Sequence, residues 1–257
     1  MVEPAATVGV LALQGDVLEH EAAFAEVGVA TRRVRRSGDL DGIDGLVLPG
    51  GESTTLSMLL ESSDLFDPIA QRIAGGLATF GTCAGLILLA RRVEDGRPDQ
   101  RSFAALDCAV RRNGYGPQRF SFEGEAEPVG DALGAAAGPL PAIFIRAPLV
   151  TEVWGGAEIL AVEGSDGHPV PVVLRQGHVL AATFHPELTA DRRLQRLFAG
   201  MVRERRAGAP GAQGEDPSGR DGEGAQGPAA DRGATAPVEG TGSPRLREPA
   251  GPVPARR

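Results

Sequence analysis

The chain has 257 residues, of which 42% are hydrophobic, and this content suffices for the core of one large domain with or without an appendage. Its formal net charge of −8 argues against nucleic acid as the main partner, because proteins bind phosphate backbones with densely positive surfaces. Two cysteines are too few for a disulfide framework and no opening signal segment is visible, so we expect the reducing cytoplasm. The apolar runs are well short of the roughly 20 residues of a membrane-spanning helix, so we expect a soluble protein with no membrane partner.

Strand-like and helix-like patterns alternate in the first part of the chain. Short buried-strand patterns stand at 7–13, 30–34, 45–50 and 77–83. The first is followed by an amphipathic stretch at 16–28, which begins with Asp16 as the expected N-cap, and the fourth leads into an apolar helical stretch at 84–93. This alternation predicts a parallel sheet covered by helices on both faces, with ligands bound at the carboxyl ends of the strands.

The pattern becomes richer in strands from about residue 105 to residue 184. Six further segments have strand character: ALDCAVRR, RFSFEGE, AIFIRAP, EILAVE, PVVLRQ and HVLAATFH. A closing helix is predicted over 189–206, in TADRRLQRLFAGMVRERR. The whole pattern predicts a three-layer α/β domain with a mostly parallel sheet, flanking helices and a strand-rich second half.

The composition changes near residue 207. The segment 207–257 has no aromatic residue, and its only sizeable aliphatic side chains are Val238, Leu246 and Val253. Such a segment buries too little apolar surface to offset an ordering entropy of roughly 1–2 kcal/mol per residue. We therefore expect one domain over 1–206 and a disordered tail over 207–257, which is either a passive extension or a partner-binding segment.

Cys83 stands where the fourth predicted strand meets the helix after it. Gly81 and Gly85 flank it in the pattern Gly-x-Cys-x-Gly. This pattern matches the nucleophile elbow, a sharp strand-to-helix turn in which glycines relieve crowding and the reactive side chain is presented at the edge of the sheet. A thiol in such a turn is expected to act as a thiolate nucleophile. The alternative is a small buried core residue, the usual fate of a free cysteine.

His185 is the histidine best placed to act as the base for that thiol. It ends the last predicted strand in ATFHPELT, and Glu187 follows two residues later. Pro186 biases His185 toward extended backbone, in which residues two apart point to the same side. The carboxylate would then fix the imidazole tautomer while the other ring nitrogen faces the thiol. Taken singly, His185 could be a strand-end residue with a satisfied hydrogen bond, and Glu187 an acid at a helix start.

A glycine-rich loop, LPGGESTT, follows the third predicted strand. Its exposed N–H groups precede a helix that we expect to be capped by Ser53 or Thr54. The N–H groups of Gly51 and of Ala84, the residue after Cys83, are candidates for an oxyanion hole that holds the charge on an attacked carbonyl. A phosphate-binding loop is the rival interpretation, but the glycine spacing is wrong and the chain contains no lysine.

The cysteine elbow, the glycine-rich loop and the final His-Pro-Glu resemble those of the class I, triad-type glutamine amidotransferases. More specific strings occur in the order GVLALQGDVLEH, LPGGESTT, FGTCAGLILLA, RRNGYG, SFE, FIRAP and FHPELT. They are similar to those of the glutaminase subunits of pyridoxal 5'-phosphate synthase over about residues 8 to 203. The resemblance implies a flavodoxin-like α/β fold and hydrolysis of L-glutamine to L-glutamate and ammonia through a cysteine thioester, with no cofactor and no metal.

The resemblance also implies roles for individual residues. Cys83 would be the nucleophile, with His185 and Glu187 as its charge-relay partners. An arginine fork suits the α-carboxylate of glutamine, and carboxylate or carbonyl oxygens suit its α-ammonium group. One departure is visible at Gly116-Pro117-Gln118, where the family has Gly-Arg-Gln. The residues implied to hold glutamine are Gly51, Glu52, Ser53, Arg112, Ile145 and Arg146.

The resemblance further implies a second protein that receives the ammonia. This partner is a barrel-shaped synthase subunit, which builds the cofactor from a pentose phosphate and a triose phosphate in a large hetero-oligomer. Family members are typically active only when docked, and Gln14 and His20 match the region implicated in docking. Two alternatives stay open: a glutaminase that serves a different synthase, and a non-catalytic binding module on the same fold.

Overall fold

The structure, a computed structural model, describes residues 6–97, 99–115, 121–134, 137–164 and 169–208. Two predictions lie outside the described residues: the state of the tail beyond residue 208, and the effect of the departure at Gly116-Pro117-Gln118. Within the part of the chain that is described, no helix combines the length and the apolar character needed to cross a membrane.

Five α-helices and twelve strands occur in the described ranges. The helices are α1 (Val17–Glu26), α2 (Ser53–Ser62), α3 (Phe66–Ala74), α4 (Ala84–Leu89) and α5 (Arg193–Gly208), of which α5 continues past the predicted domain boundary at residue 206. The strands are β1 (Thr7–Leu11), β2 (Ala30–Val34), β3 (Gly45–Leu48), β4 (Ala78–Thr82), β5 (Ala90–Val93), β6 (Leu106–Arg111), β7 (Ser121–Pro128), β8 (Leu140–Ile145), β9 (Leu149–Val153), β10 (Glu158–Glu163), β11 (Val170–Gln176) and β12 (Val179–Ala182).

The main sheet has nine strands in the order β2-β1-β3-β4-β12-β11-β10-β7-β8. Pairing is parallel from β2 through β1, β3 and β4 to β12. It is antiparallel from β12 through β11, β10 and β7 to β8. Strands β5, β6 and β9 form a second, smaller sheet. The predicted α/β fold is confirmed, and the sheet is mixed because the strand-rich second half joins it in antiparallel fashion.

Helices cover both faces of the parallel half and make the predicted three layers. On one face α1 and α5 pack together through Phe24 and Phe198, and Phe198 also lies 5.6 Å from Phe80 of β4, measured between ring centroids. On the other face α2, α3 and α4 form a second apolar cluster. Strand β3 contributes side chains to both clusters: Val47 packs with Phe24, Phe80 and Phe198 in the first, and Leu46 packs in the second. Burial of each side chain of this size contributes roughly 1.5–3 kcal/mol to the stability of the fold. The packed core therefore holds the strands in place, and with them the strand ends at which the site lies.

The segment 84–93 is not the single helix that its pattern predicts. Helix α4 ends at Leu89, and Ala90 takes extended backbone with φ −62° and ψ 141°. The chain then enters β5, which pairs with β6, and Arg92 forms an ion pair with Glu152 of β9 at 2.7 Å. Pairing with distant strands decides the conformation here, and the helical periodicity of one segment cannot reveal it.

Candidate active site

Cys83 lies in the tight turn between β4 and α4. Its backbone has φ 48° and ψ −102°, a conformation that residues with a side chain rarely adopt. Gly81 and Gly85 permit this turn. A Cβ on Gly85 would collide with the carbonyl of Leu48 in β3, and a Cβ on Gly81 would lie 2.6 Å from the carbonyl carbon of Gly85. The geometry is that of a strand-to-helix elbow, with Cys83 at its apex as a residue that is 5% exposed.

Replacing Gly85 with alanine is expected to destabilise the protein. The added methyl group would meet the backbone carbonyl of Leu48, and overpacking of this kind costs about 1–3 kcal/mol. Gly200 of α5 is the matched control, because a Cβ built there has no neighbour within 4 Å apart from the adjoining residues and backbone of its own helix, and a helix favours alanine over glycine by about 0.5–1 kcal/mol. Urea unfolding should show a lower midpoint for Gly85→Ala and a higher one for Gly200→Ala. An unchanged midpoint for Gly85→Ala would contradict this packing of α4 on β3.

Cys108, the second cysteine, is in a very different environment. It is fully buried in β6, and burial, with a smaller effect of the neighbouring Asp107, raises the pKa of its thiol to about 12. Such a thiol stays protonated at neutral pH and is a poor nucleophile. Cys83, in contrast, borders a cavity and contacts the ring of His185.

His185 and Glu187 follow the end of β12. The backbone N–H of His185 donates to the carbonyl of Ile143 in β8 at 2.9 Å, and Pro186–Leu188 then forms a single helical turn. The imidazole Nδ1 of His185 lies 2.8 Å from Oε1 of Glu187, and the thiol of Cys83 is near enough to the same ring to raise its pKa. With Nδ1 facing the carboxylate, Nε2 is the nitrogen left for the thiol. The three side chains therefore stand in the order of nucleophile, base and orienting acid.

A second carboxylate, missed by sequence reasoning, faces the same ring nitrogen. Oδ2 of Asp16 lies 3.1 Å from Nδ1 of His185. Asp16 is the N-cap residue of α1, as predicted, but its side chain makes no cap hydrogen bond. Burial alone would lower the pKa of His185, but hydrogen bonds with Asp16, Cys83 and Glu187 outweigh it and raise the pKa well above its usual range. The hydrogen bond with His185 is likewise the main cause that lowers the pKa of Asp16.

The structure contradicts the interface prediction for His20. The side chain of His20 is fully buried, with Nε2 3.1 Å from Oγ1 of Thr82 and 3.5 Å from Oε1 of Glu187. It belongs to the buried face of α1 together with Ala23 and Phe24. A side chain in this position cannot contact a partner directly, and it packs behind Glu187 instead.

The burial of His20 predicts a loss of stability as the pH falls below about 6.5, the pKa of histidine in an unfolded chain. Burial lowers the pKa of His20 in the folded protein, so the unfolded chain takes up a proton that the folded one does not. The free energy of unfolding then falls by up to about 1.4 kcal/mol per pH unit. Two other shifts act outside this window. The raised pKa of His185 contributes stability that is fully present below about 6.5, and the lowered pKa of Asp16 matters only below about 4.

His20→Gln is the variant that tests this pH dependence. It removes one of the two described histidines whose pKa is lowered by burial, the other being His178, so its free energy of unfolding should vary less between pH 6.5 and pH 5 than that of the parent chain. Urea unfolding at several pH values gives both slopes. Equal slopes would show that His20 does not titrate abnormally in the folded protein.

The glycine-rich loop between β3 and α2 is held by the loop before α1. Oε1 of Gln14 accepts a hydrogen bond from the backbone N–H of Glu52 at 2.9 Å. Gly51 has φ 154°, and a Cβ on it would collide with the Gln14 amide. The interface prediction for Gln14 stays a prediction, because the structure shows only its contact within the chain.

Glu52, rather than Ser53 or Thr54, caps α2. Its carboxylate accepts hydrogen bonds from the N–H groups of Thr54 at 3.2 Å and Thr55 at 2.7 Å, and its backbone is extended at φ −95° and ψ 112°. The same carboxylate pairs with Arg112 at 3.0 Å. Burial alone would raise the pKa of Glu52, but the hydrogen bonds from Thr55 and Thr54 and the charge of Arg112 outweigh it and lower the pKa. The loop thus presents a fixed negative charge beside a guanidinium group.

A cavity of about 300 Å³ connects these groups. Ile145 lines it, with its carbonyl oxygen 3.8 Å from Sγ of Cys83, and Arg146 follows with a left-handed φ of 45°. Ala84 is buried as the first residue of α4, and Glu187 is buried behind His185.

All six residues expected to hold glutamine line the cavity, together with three that sequence reasoning missed. The lining residues are Gln14, Asp16, Gly51, Glu52, Ser53, Cys83, Ile87, Arg112, Asn113, Ile145, Arg146 and His185.

Asp16, His185 and Glu187 are also close enough to be considered as metal ligands. One ligand atom from each lies within 4.8 Å of the others. Nδ1 of His185 is, however, already within hydrogen-bonding distance of an oxygen of both carboxylates, so a proton accounts for the cluster. The expectation that the site needs no metal stays a prediction.

Comparison with known proteins agrees with this geometry. The model of the SNO glutamine amidotransferase family matches residues 10–204. A relative from Salinispora arenicola (strain CNS-205), described as "Pyridoxal 5'-phosphate synthase subunit PdxT", is 53% identical over 201 residues, which are 77% of this chain and 98% of that protein. A relative from Salinispora tropica with the same description is 52% identical over 201 residues, with the same coverage of 77% and 98%.

A solved structure, "Crystal structure of glutamine amidotransferase", superposes with a TM-score of 0.68 at 43% identity and covers 76% of this chain and 98% of that chain. The family model extends from β1 into α5 and includes Cys83, His185 and Glu187. From the elbow, the cavity and these matches together, we conclude that the chain belongs to the SNO glutamine amidotransferase family.

Proposed function

We propose that the chain is the glutaminase subunit of a pyridoxal 5'-phosphate synthase, which hydrolyses L-glutamine to L-glutamate and ammonia. One observation carries the proposal: the elbow thiol of Cys83 and the ring of His185 line the same small-molecule cavity, and the carboxylate of Glu187 lies behind that ring, 2.8 Å from its Nδ1. That arrangement suits acyl transfer through a covalent intermediate. The descriptions of the relatives name the synthase to which such a subunit belongs.

The first half of the reaction forms a glutamyl thioester. The thiolate of Cys83 attacks the side-chain amide carbon of glutamine, and a C–S bond forms as the carbonyl oxygen takes up negative charge. The N–H groups of Gly51 and Ala84 are the proposed donors to this oxygen; Ala84 is the first residue of α4, where an N–H has no acceptor within the helix. The imidazolium of His185 then protonates the amide nitrogen, the C–N bond breaks and ammonia departs.

The second half of the reaction regenerates the thiol. His185, now neutral, removes a proton from water, and the hydroxide attacks the thioester carbon. The C–S bond breaks, glutamate leaves and Cys83 recovers its proton from His185. Glu187 keeps the ring in the required tautomer through both halves, because its Oε1 accepts from Nδ1.

The charges along the cavity suit a free amino acid. Arg112 and Arg146 can pair with the α-carboxylate of glutamine, and the carboxylate of Glu52 and the carbonyl of Ile145 can accept from its α-ammonium group. Glu52 and Arg112 already pair with each other at 3.0 Å, so each is held in position before substrate arrives. Gly51 and Ser53 complete the proposed contacts from the glycine-rich loop.

A synthase subunit in a large hetero-oligomer is the proposed acceptor of the ammonia, because ammonia released into water is protonated and lost. Exposed apolar side chains near the site support a docking surface: Leu18 is 64% exposed two residues after Asp16, and Leu188 is 38% exposed next to Glu187. Gln14, which holds the glycine-rich loop, is a proposed link between docking and the oxyanion hole. The cytoplasm is the proposed location, since the nucleophile must stay reduced.

The proposal is tested by covalent labelling with a diazoketone analogue of glutamine, in the presence of a synthase subunit from one of the relatives. Peptide mass mapping should find the label on Cys83, and excess glutamine should protect against it. The Cys83→Ala chain should remain unlabelled. Absence of label from the folded parent chain would favour a non-catalytic binding module on the same fold.

A further inference from the structure

Asp16 reaches the ring of His185 from the loop that follows β1. Its Oδ2 lies 3.1 Å from Nδ1, beside the Oε1 of Glu187 at 2.8 Å. Two glycines make this approach possible. A Cβ on Gly50 would collide with the His185 ring and lie 3.2 Å from Oδ2 of Asp16, and a Cβ on Gly15 would collide with the carbonyl of Gly50. The backbone is thus shaped to bring an acid of α1 against the ring.

The two carboxylates at Nδ1 have different surroundings. The side chain of Glu187 is fully buried, whereas that of Asp16 is 36% exposed at the cavity wall. A single N–H cannot form two linear hydrogen bonds, so the proton on Nδ1 is shared between the two acceptors. The electrostatic effects do add, because each negative charge favours the imidazolium over the neutral ring.

The charged groups that face the ring come from three elements. Asp16 and His20 approach from α1, Cys83 from the elbow and Glu187 from the turn after β12. Burial keeps His20 neutral, so it adds no positive charge at neutral pH. Among the described residues that face the ring, Asp16 is the acid that solvent can reach, and its substitution disturbs the core least.

We propose that Asp16 is a positioning residue of the glutaminase reaction, which orients the His185 ring through Nδ1 and, with Glu187, holds it as the imidazolium that protonates the departing ammonia. The reaction it serves rests on the proposed function, whereas the contact between Asp16 and His185 does not. The contact can therefore be tested by a measurement that does not require glutamine hydrolysis.

The first test is an NMR titration of the histidine rings in the full chain. The chain has four histidines, and the His185 signal is identified by its loss in His185→Gln. A Cys83→Ala background removes coupling to the thiol. Asp16→Asn should lower the titration midpoint of His185 by about one to three pH units, the usual effect of one nearby charge. Glu19→Gln, exposed on the same helix, should leave the midpoint unchanged. An unchanged midpoint in Asp16→Asn overturns the proposal.

The second test measures kcat and KM against pH in the complex with a synthase subunit. In Asp16→Asn the alkaline limb of kcat/KM should move to lower pH, because the ring loses its proton sooner. Asp16→Ala should in addition lose kcat at the optimum, by roughly tenfold or more, since it also lacks the oxygen that orients the ring. A rise in KM alone in both variants would mean that Asp16 binds substrate, and would overturn the proposal. If the parent chain shows no turnover, the proposed function fails, while the titration still decides the role of Asp16.

Discussion

Cys83→Ala is expected to lose glutamine hydrolysis almost completely. The variant lacks the atom that forms the thioester, and removal of the nucleophile from a comparable triad costs about 10⁶-fold in kcat. Alanine keeps the small volume that the elbow requires, so the fold should persist. The measurement is glutamate release in the presence of a synthase subunit, with unfolding midpoints as the check on structure.

Cys108→Ala is the matched control for that result. Cys108 is buried in β6, and its raised pKa keeps the thiol protonated. Its replacement should leave glutamate release within a few-fold of the parent value. Activity of Cys83→Ala within tenfold of the parent chain would sink the thioester mechanism, whatever the control shows.

Glu187→Gln is expected to have the second largest effect. The carboxylate lies 2.8 Å from Nδ1 of His185, and an amide there loses the charge that stabilises the imidazolium and permits the wrong ring tautomer. The corresponding change in a serine protease triad costs about 10⁴-fold in kcat. The loss here should be of that order or somewhat smaller, because Asp16 supplies a second carboxylate to the same nitrogen.

Two companion variants sharpen the result for Glu187. Glu204→Gln, on the exposed side of α5, changes the net charge equally and should leave kcat unaltered. The double variant Glu187→Gln with Asp16→Asn should lose more activity than Glu187→Gln alone, because no carboxylate then faces Nδ1. Glutamate release by Glu187→Gln at the parent rate would mean that the ring needs no buried acid.

Much of the site could be predicted from local sequence patterns. The elbow follows from glycines two residues before and after Cys83, and the structure shows why, since Gly85 packs on the Leu48 carbonyl. The contact between His185 and Glu187 is predicted for an extended chain, whereas the structure forms it with Glu187 inside the helical turn Pro186–Leu188. Parallel strands bring their carboxyl ends to one edge of a sheet, so the loops after β1, β3, β4 and β12 meet there.

The omissions and errors arise where distant contacts override a local rule. Asp16 has the expected position of an N-cap, but its carboxylate contacts His185 instead. Because His185 is far from α1 in the sequence, the local pattern around α1 cannot predict this contact. The family resemblance implies an interface position for His20, although its spacing from Ala23 and Phe24 places it on the buried face of α1. Glu52 takes the cap of α2 because its longer side chain reaches both free N–H groups and Arg112.

The decisive measurement for a partner-dependent glutaminase is glutamate release from glutamine by the purified chain, alone and after mixing with a synthase subunit from one of the relatives. We expect little release from the chain alone and a sharp rise on mixing that the Cys83→Ala chain does not show. Strong release from the chain alone would contradict the dependence on a partner. No release in either condition, from a chain that is folded, would contradict the assignment as a glutaminase.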